Sequence, residues 1–565
     1  MASPPPSPPA VARVALKPFP KGRRVDPAVR ADVAARIADL PRRRDLLVEY
    51  LHVIQDAKGH LPVADLVALA DLLKLAPVEV YEVATFYHHF DVVGDGESPP
   101  APVAVRVCTS LSCALAGGVA LHEALARGGT DGVRVVAAPC LGRCDTAPAV
   151  HVGRNPLGHA TAPAVCAAIA ARAFDAALPA AIDYAEYRAG GGYRMLGECT
   201  GGRRTRDEVI ATLGDSRLRG MGGAGFPAGR KWDLVRREPA PRFVAVNGDE
   251  GEPGTFKDRH CLEQDPHRFL EGALIAAWAI DAAAIYVYLR DEYAGCRLLL
   301  QRELAALAAD PPVADWPLPP IHLRRGAGAY ICGEESAMLE SIEGGRGLPR
   351  LRPPYVAQRG LYGRPTLVHN VETLFRVPKI LAHGAAWFAG AGRHGRHGQR
   401  AFSVSGRVQR PGVYLAPAGI TARELIDEFA GGMLPGHTLY GYLPGGASGG
   451  ILPAALADVP LDFDTLAEHG AFIGSAGVIV LSDHDRAVDA ARNLLAFFRD
   501  ESCGQCTPCR EGTRHAADLI AGAQWDRELV EELCAAMADA SICGLGQAAP
   551  NPIRCVLRYF AHELA

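Results

Sequence analysis

Eight of the fifteen cysteines fall into two sets with the spacing of metal or cluster ligands. One set is Cys108-x4-Cys113 with Cys140-x3-Cys144; the other is Cys503-x2-Cys506-x2-Cys509 completed by Cys543, within Ser541-Ile-Cys-Gly-Leu-Gly. Four sulfurs must converge on one small centre, and short spacings let a single loop supply several of them. The run with a distant fourth cysteine suits a cubane [4Fe–4S] cluster, and the two pairs suit a [2Fe–2S] cluster. A four-cysteine zinc site uses the same ligands in either place, and disulfide pairing is a further alternative for the first set. Neither set contains histidine, which argues against a Rieske-type centre.

Between the sets lie four blocks rich in glycine and acids. Arg219-Gly-Met-Gly-Gly-Ala-Gly-Phe-Pro-Ala-Gly-Arg-Lys-Trp brings backbone N–H groups within reach of a phosphate or flavin, with Lys231 adding charge; alone it reads equally as a flexible turn. Asn247-Gly-Asp-Glu-Gly-Glu-Pro-Gly-Thr-Phe-Lys-Asp-Arg is too acidic for a simple phosphate cradle. Carboxylates suit ribose hydroxyls and repel an extra 2′-phosphate. The third block is Gly326-Ala-Gly-Ala-Tyr-Ile-Cys-Gly-Glu-Glu-Ser, and the fourth is Pro365-Thr-Leu-Val-His-Asn-Val-Glu-Thr, with Asn370 and Thr373 as candidate phosphate or flavin contacts. Any one acid has a cap or a surface charge as its plain alternative; together the blocks read as a binding site.

These loops need elements to hold them. The chain is 565 residues long, enough for several domains with cores of their own. Lys and Arg total 59 against 63 Asp and Glu, a net charge of −4 that does not point to nucleic acid. No uncharged apolar run has membrane-crossing length; Phe269 to Leu289, broken by Glu271 and Asp281, predicts a buried helix and strand. The N-terminus lacks a secretory pattern. Clustered cysteines in a large core-rich chain favour a reducing cytoplasm, and the other seven (Cys166, Cys199, Cys261, Cys296, Cys332, Cys534, Cys555) read as small core residues.

Residues 1–25, rich in proline and basic residues, predict a disordered tail, and 26–100 a helical segment with Pro62 and Pro77 at helix starts. Strands at Val103-Ala-Val-Arg-Val, Val133-Arg-Val-Val and Ala149-Val-His-Val, with a helix near Val119 to Ala126, predict a thioredoxin-like α/β unit over 101–180. Gly190-Gly-Gly marks 181–206 as a linker. Alternating helices and β-branched strands over 207–395 predict the main α/β domain, paired strands over 396–485 a smaller α+β domain, and 486–565 a helical bundle around the second cysteine set.

At these motifs the chain resembles two subunits of respiratory complex I joined end to end. The first 175 residues, including Val83-Ala-Thr-Phe-Tyr, resemble its small [2Fe–2S] subunit; the remainder resembles its NADH-binding flavoprotein subunit. Such fusions occur in diaphorase subunits of cytoplasmic NAD-dependent formate dehydrogenases and of NAD-reducing hydrogenases. Tyr50-Leu-His-Val-Ile-Gln-Asp, His89-Phe-Asp-Val-Val and Asp500-Glu-Ser-Cys-Gly-Gln-Cys-Thr-Pro-Cys are most similar to the family of formate dehydrogenase β (diaphorase) subunits.

The resemblance implies a thioredoxin-like [2Fe–2S] domain, a Rossmann-like FMN- and NAD-binding domain, a β-grasp (ubiquitin-like) domain and a [4Fe–4S] helical bundle. It implies noncovalent FMN with NAD stacked on it. Gly220, Gly222, Gly223 and Gly225 would lie against both ligands, with Phe226 and Lys231 holding the nucleotide. Asn247, Asp249, Glu250, Gly333, Glu334, Asn370 and Thr373 would contact FMN. Glu252 and Glu335 would face the nicotinamide ribose, Glu335 disfavouring NADP; Tyr330 would line the pocket and Tyr355 stack on adenine. Three departures stand out: Met221 where complex I chains carry arginine, His369 for the first of two asparagines, and Tyr355 for phenylalanine.

No residue is expected to act as acid or base, since hydride passes directly between NAD and FMN. The expected partner is a formate dehydrogenase α subunit with molybdenum or tungsten pterin and iron–sulfur clusters, feeding electrons through the Cys503 cluster. The rivals are a hydrogenase diaphorase, an NADH dehydrogenase module of a complex I-like assembly, a bifurcating hydrogenase subunit, from which the lack of further ferredoxin-like cysteines after Cys543 argues away, and a non-enzymatic iron–sulfur scaffold.

Overall fold

The structure, a computed structural model, describes residues 23–128 and 132–564, so the expected tail over 1–25 lies outside the described residues apart from 23–25. Four helices follow, Pro27–Arg36, Leu47–Lys58, Val63–Leu73 and Pro77–Phe86, with Pro77 in the first turn of the last, where its missing N–H costs nothing. They pack directly on the main domain. His52 Nε2 lies 2.9 Å from the Gly326 carbonyl, Arg324 Nη2 donates to Asp45 at 2.9 Å, and Tyr87 Oη sits 2.8 Å from Ser341 Oγ.

A four-stranded sheet comes next, in the order Val133–Ala138, Val103–Cys108, Val150–Val152, Asn155–Leu157. Its first pair is parallel and the others antiparallel, and the helix Gly118–Gly128 crosses between the parallel strands, giving the thioredoxin-like unit.

Residues 181–206, expected as a linker, are folded. The helices Tyr184–Ala189 and Arg194–Thr200 pack into the main core, and the three glycines form only the turn between them. The cause is Glu271, buried in the helix Pro266–Ile280. Its carboxylate accepts from the backbone N–H groups of Tyr193, Met195 and Leu196 at 3.0, 3.1 and 3.2 Å, and from Tyr187 Oη at 2.6 Å. One buried acid thus caps the N-terminus of a neighbouring helix, and each partner satisfies the other.

The main sheet is fully parallel, ordered Thr366–Asn370, Arg242–Gly248, Ala282–Leu289, Ile321–Arg325. Every residue of Pro266–Ile280 except Arg268 is buried, which accounts for the long apolar run as a covered helix followed by a strand. Each fully buried Leu, Ile or Phe there contributes about 1.5–3 kcal/mol. A mixed five-stranded sheet follows, ordered Gly412–Pro417, Gln399–Gly406, Gly477–Ser482, Leu439–Leu443, Leu452–Pro453. Its first and last long strands lie parallel at the centre, the β-grasp arrangement. The helices Ala487–Asp500, Thr507–Ala521, Arg527–Ala540, Gly544–Ala548 and Pro550–Tyr559 complete the chain. No helix among the described residues is long and apolar enough to cross a membrane.

Candidate functional site

Strand ends deliver the first cysteine set. Cys108 closes Val103–Cys108, Cys113 lies in the short helix Leu111–Leu115, and Cys140 and Cys144 follow Val133–Ala138. All four are buried, with Cys140 Sγ and Cys144 Sγ 3.4 Å apart. Hydrogen bonds from the Cys108 and Cys144 thiols hold Cys140 well below the ordinary thiol range, while Cys108 and Cys144 are themselves pushed well above it by their cysteine neighbours and by burial. The loop is clamped to the main domain. Arg290 Nη2 donates to the Cys140 carbonyl at 2.7 Å, and Arg259 Nε donates to the Gly142 carbonyl at 2.9 Å. Gly142 has φ +68°, and a Cβ there would fall 2.2 Å from Tyr293 Oη, so only glycine fits.

Helix N-termini deliver the second set. Cys506 precedes Thr507–Ala521, Cys509 sits in its first turn, and Cys543 precedes Gly544–Ala548. The helix dipoles favour thiolates at these positions. With Cys503 they line a small cleft walled by Ile331 and Leu545. A Cβ on Gly546, three residues past Cys543, would come 2.4 Å from Ser541 Oγ and 2.8 Å from Cys509 Cβ, which explains the glycine there. Among the other seven cysteines Cys166 is exposed, against the expectation of a core residue, and the remaining six are buried.

The glycine and acid blocks meet between the two sets. Asn370 and Asn247 are register partners at the C-terminal edge of adjacent parallel strands, the edge where open α/β sheets bind ligands. Asn247 Nδ2 donates to the Gly333 carbonyl at 2.7 Å, and Met221 N–H donates to Thr373 Oγ1 at 2.9 Å. A Cβ on Gly222 would lie 3.1 Å from Asn370 Cβ, and one on Gly225, at φ +64°, 2.5 Å from the Phe463 ring. Gly220 and Gly223 meet no such crowding, but the Gly220 N–H is already spent on the Phe226 carbonyl at 2.9 Å, closing the loop on itself. Lys231 Nζ reaches the Val368 carbonyl at 2.8 Å and Glu335 at 3.3 Å, while Arg352 lies 3.2 Å from Glu335 and also pairs with Glu334. Glu252 accepts from Ser448 N–H at 2.7 Å and from Tyr330 Oη.

Asp249 is the unsatisfied member of the group. Its Oδ2 is buried and has no hydrogen-bond partner among the described residues, and burial pushes its pKa well above the usual carboxylate range. Such an atom fits a ligand that donates a hydrogen bond there. Phe226 and Tyr355, 39% and 57% exposed, leave aromatic faces open to a stacking ring.

Further expected contacts are engaged by the protein, Glu334 among them, whose Oε2 accepts from the Ser336 and Ala337 backbone N–H groups at 3.0 and 2.9 Å and caps the helix Glu335–Ile342. Glu250 accepts from the backbone N–H groups of Asp258 and Arg259 at 2.8 and 3.1 Å and from Tyr293 Oη at 2.9 Å, placing its carboxylate in the floor of the loop. Asn370 Oδ1 caps the following helix through Glu372 N–H at 3.0 Å. Thr373 holds the glycine loop through Met221. His369 accepts from Trp232 Nε1 at 2.8 Å, so it sits buried and neutral, its pKa lowered by burial and then by Lys231.

Sequence reading missed Lys257 and Arg290. Lys257 is 1% exposed, 2.8 Å from Asp258 and 3.4 Å from Glu372; in the sequence it stands between Phe256 and Asp258, beside Arg259, where a lysine reads as surface. Arg290 follows the strand Ala282–Leu289, and a charged residue at the C-terminal end of a parallel strand is the signal that could have found it.

Comparison with known proteins agrees with this geometry. Residues 33–173 match the thioredoxin-like [2Fe-2S] ferredoxin family, 213–379 the Nuo51 FMN-binding domain, and 489–565 the NADH-ubiquinone oxidoreductase-F iron-sulfur binding region. The NADH-quinone oxidoreductase F 2 subunit of Rhizobium meliloti (strain 1021) is 43% identical over 389 residues, 67% of this chain and 92% of that protein. The mitochondrial NADH dehydrogenase [ubiquinone] flavoprotein 1 of Dictyostelium discoideum is 41% identical over 375 residues, 64% of this chain and 78% of its own. A chain of an NAD+-reducing [NiFe]-hydrogenase, solved in the H2-reduced state, superposes with a TM-score of 0.80 at 33% identity, covering 93% of this chain and 92% of that one. The bare glycine loop and the orphaned Asp249 oxygen fit FMN, and the two all-cysteine sets fit a [2Fe–2S] and a [4Fe–4S] cluster. The chain therefore belongs to the NADH-binding flavoprotein family of the NADH-quinone oxidoreductases, with a thioredoxin-like [2Fe–2S] domain in the same polypeptide, and is an NAD(H)-dependent flavin and iron–sulfur oxidoreductase.

Proposed function

We propose that the chain is the diaphorase subunit of a cytoplasmic NAD-dependent formate dehydrogenase, exchanging electrons between NAD(H) and a larger subunit that oxidises formate at a molybdenum or tungsten pterin. The observation that carries the electron-transfer reading is the Tyr330–Gly333 turn. It bonds Asn247 through the Gly333 carbonyl on one side, and on the other Tyr330 N–H donates to Glu501 at 3.0 Å, two residues before Cys503. One turn thus holds the nucleotide loops against the second cysteine set.

When bound, FMN supplies the exchange between a two-electron hydride and single electrons. The chain's residues position and exclude. Gly222, Gly223 and Gly225 present backbone N–H groups, with Gly220 beside them closing the loop on Phe226, and Asn247, Asp249, Gly333 and Glu334 take the flavin side, with Asn370 and Thr373 fixing the glycine loop. Glu252 and Tyr330 line the nicotinamide side, and Phe226 and Tyr355 offer stacking faces. Glu335, held by Lys231 and Arg352, sets NAD over NADP because a 2′-phosphate would meet a carboxylate. These acids orient ligands and move no proton. The eight cysteines hold the two clusters.

Formate as donor rests on the sequence wording around Tyr50, His89 and Asp500. A second reading, the diaphorase of an NAD-reducing hydrogenase, is favoured by the full-length match to the hydrogenase chain. The test is NAD+ reduction by the complex purified with its natural partners. Formate-driven reduction supports the proposal; reduction by hydrogen and not by formate replaces it with the second reading.

A further inference from the structure

Behind the glycine loop, towards the β-grasp sheet, lies a second cleft of about 340 Å³. Its lining carries Arg217, Arg219, Arg396 and Arg400 with Asp462, and Met221 of the glycine loop also faces it; Arg219 is already paired with Asp464 at 3.0 Å and donates from Nε to the Gly225 carbonyl, so four arginines stand against two acids. Arg396 Nε takes Asp462 at 2.7 Å. Arg400 is 1% exposed, yet its Nε and Nη1 have no hydrogen-bond partner among the described residues. Its Nη2 donates to the Gly474 carbonyl at 3.3 Å, and the nearest Asp462 oxygen is 4.0 Å from Nη1. The guanidinium carbons of Arg219 and Arg400 lie 4.4 and 4.6 Å from the Phe463 ring centroid, so one ring fixes both planes.

A buried cation with two unmatched donors is expensive, and folded proteins keep such groups where a ligand completes them. Guanidinium forks match phosphate oxygens in pairs, and the surplus of arginines gives the cleft the sign to draw an anion in. We propose that this cleft binds a phosphate dianion, with Arg400 as its anchor and Arg217 closing over it. This holds whichever donor reduces the enzyme. Two sources share the chemistry: a free phosphate or phosphate monoester, and the phosphate of FMN.

Thermal unfolding of the purified chain tests this, with and without its FMN, in sodium phosphate against sodium chloride of equal ionic strength. A saturable stabilisation by phosphate in the FMN-loaded chain assigns the cleft to a free phosphate. Stabilisation confined to the flavin-free chain, and removed by added FMN but not by riboflavin, assigns it to the flavin's own phosphate. Arg400→Gln abolishes the phosphate effect in either case while raising the midpoint of the ligand-free chain, because the unmatched charge is gone. Should Arg400→Gln not fold, Arg217→Ala, exposed and outside any ion pair among the described residues, weakens phosphate by about tenfold. Equal effects of phosphate and chloride in both forms of the chain, or a phosphate effect undiminished in both variants, overturn the proposal.

Discussion

Arg290 donates from Nη2 to the carbonyl of Cys140 at 2.7 Å, and its Nη1 contacts the carbonyl of Glu250. A single buried guanidinium therefore joins the first cysteine loop to the acidic loop of the nucleotide site. Its own charge is balanced by Glu292, 2.8 Å away, each side chain 5% exposed. Burial pushes the Glu292 carboxyl up, but Arg290 outweighs it and holds the group at about 2.

Arg290→Met should accordingly cost about 3–5 kcal/mol, because it leaves Glu292 buried without its partner as well as freeing the cysteine loop. The expected result is a lower thermal midpoint together with loss of the [2Fe–2S] electron-paramagnetic signal in the reduced protein. An unchanged midpoint would show that Arg290 is not the clamp.

Gly225→Ala should loosen FMN. The backbone there is left-handed, and the added methyl meets the Phe463 ring at 2.5 Å, so either ring or loop must shift. A cost of about 1–3 kcal/mol is expected. The readout is flavin content per chain after gel filtration, which should fall; the Gly225→Ala, Phe463→Ala pair should recover part of it. Full flavin retention in the single variant would mean that the loop does not bear on the cofactor.

Much of this site was legible because it depends on short-range pattern. Cysteine spacing, strand composition before Cys108 and before Asn247, and glycine density all report local geometry. What escaped is set by long-range satisfaction of buried charge. The 181–206 segment reads as a linker through its three glycines, yet Glu271, about eighty residues on, organises it. Glu250 reads as a ligand contact because it shares a block with Asp249, but a loop that turns at Gly251 sends one carboxylate to Tyr293 and leaves the other unpartnered. The burial of Lys257 escaped because, beyond its neighbour Asp258, its second acid is Glu372 on another element.

Cys506→Ser separates electron transfer from flavin binding. Cys506 lies at a helix start in the C-terminal bundle, while the flavin-side residues belong to the parallel sheet and its loops. The variant should lose the [4Fe–4S] signal, keep FMN, and keep NADH oxidation by an acceptor that takes electrons from the flavin. Electron exchange with the partner subunit should fall at least about a hundredfold, the loss of one relay. Loss of flavin together with the cluster would show that the cluster holds the fold.

Acid sensitivity follows from His52. Its Nε2 lies 2.9 Å from the Gly326 carbonyl, and a carbonyl only accepts, so this nitrogen carries the hydrogen. Burial, then the positive charge of Arg325, lower its pKa from 6.5 to about 3. The unfolded chain takes up a proton at this site below pH 6.5 and the folded chain does not until about pH 3. Stability is therefore full above 6.5 and declines as the pH falls towards 3, at about 1.4 kcal/mol per unit. His151, buried and lowered to about 3, adds in the same direction over the same window. His52→Gln keeps a donor for Gly326 and removes the titration. Denaturant unfolding at pH 7 and pH 5 should show the wild type losing about 2 kcal/mol more than the variant. Equal losses would mean that His52 is protonated in the folded chain, and that its contact with the Gly326 carbonyl survives the charge.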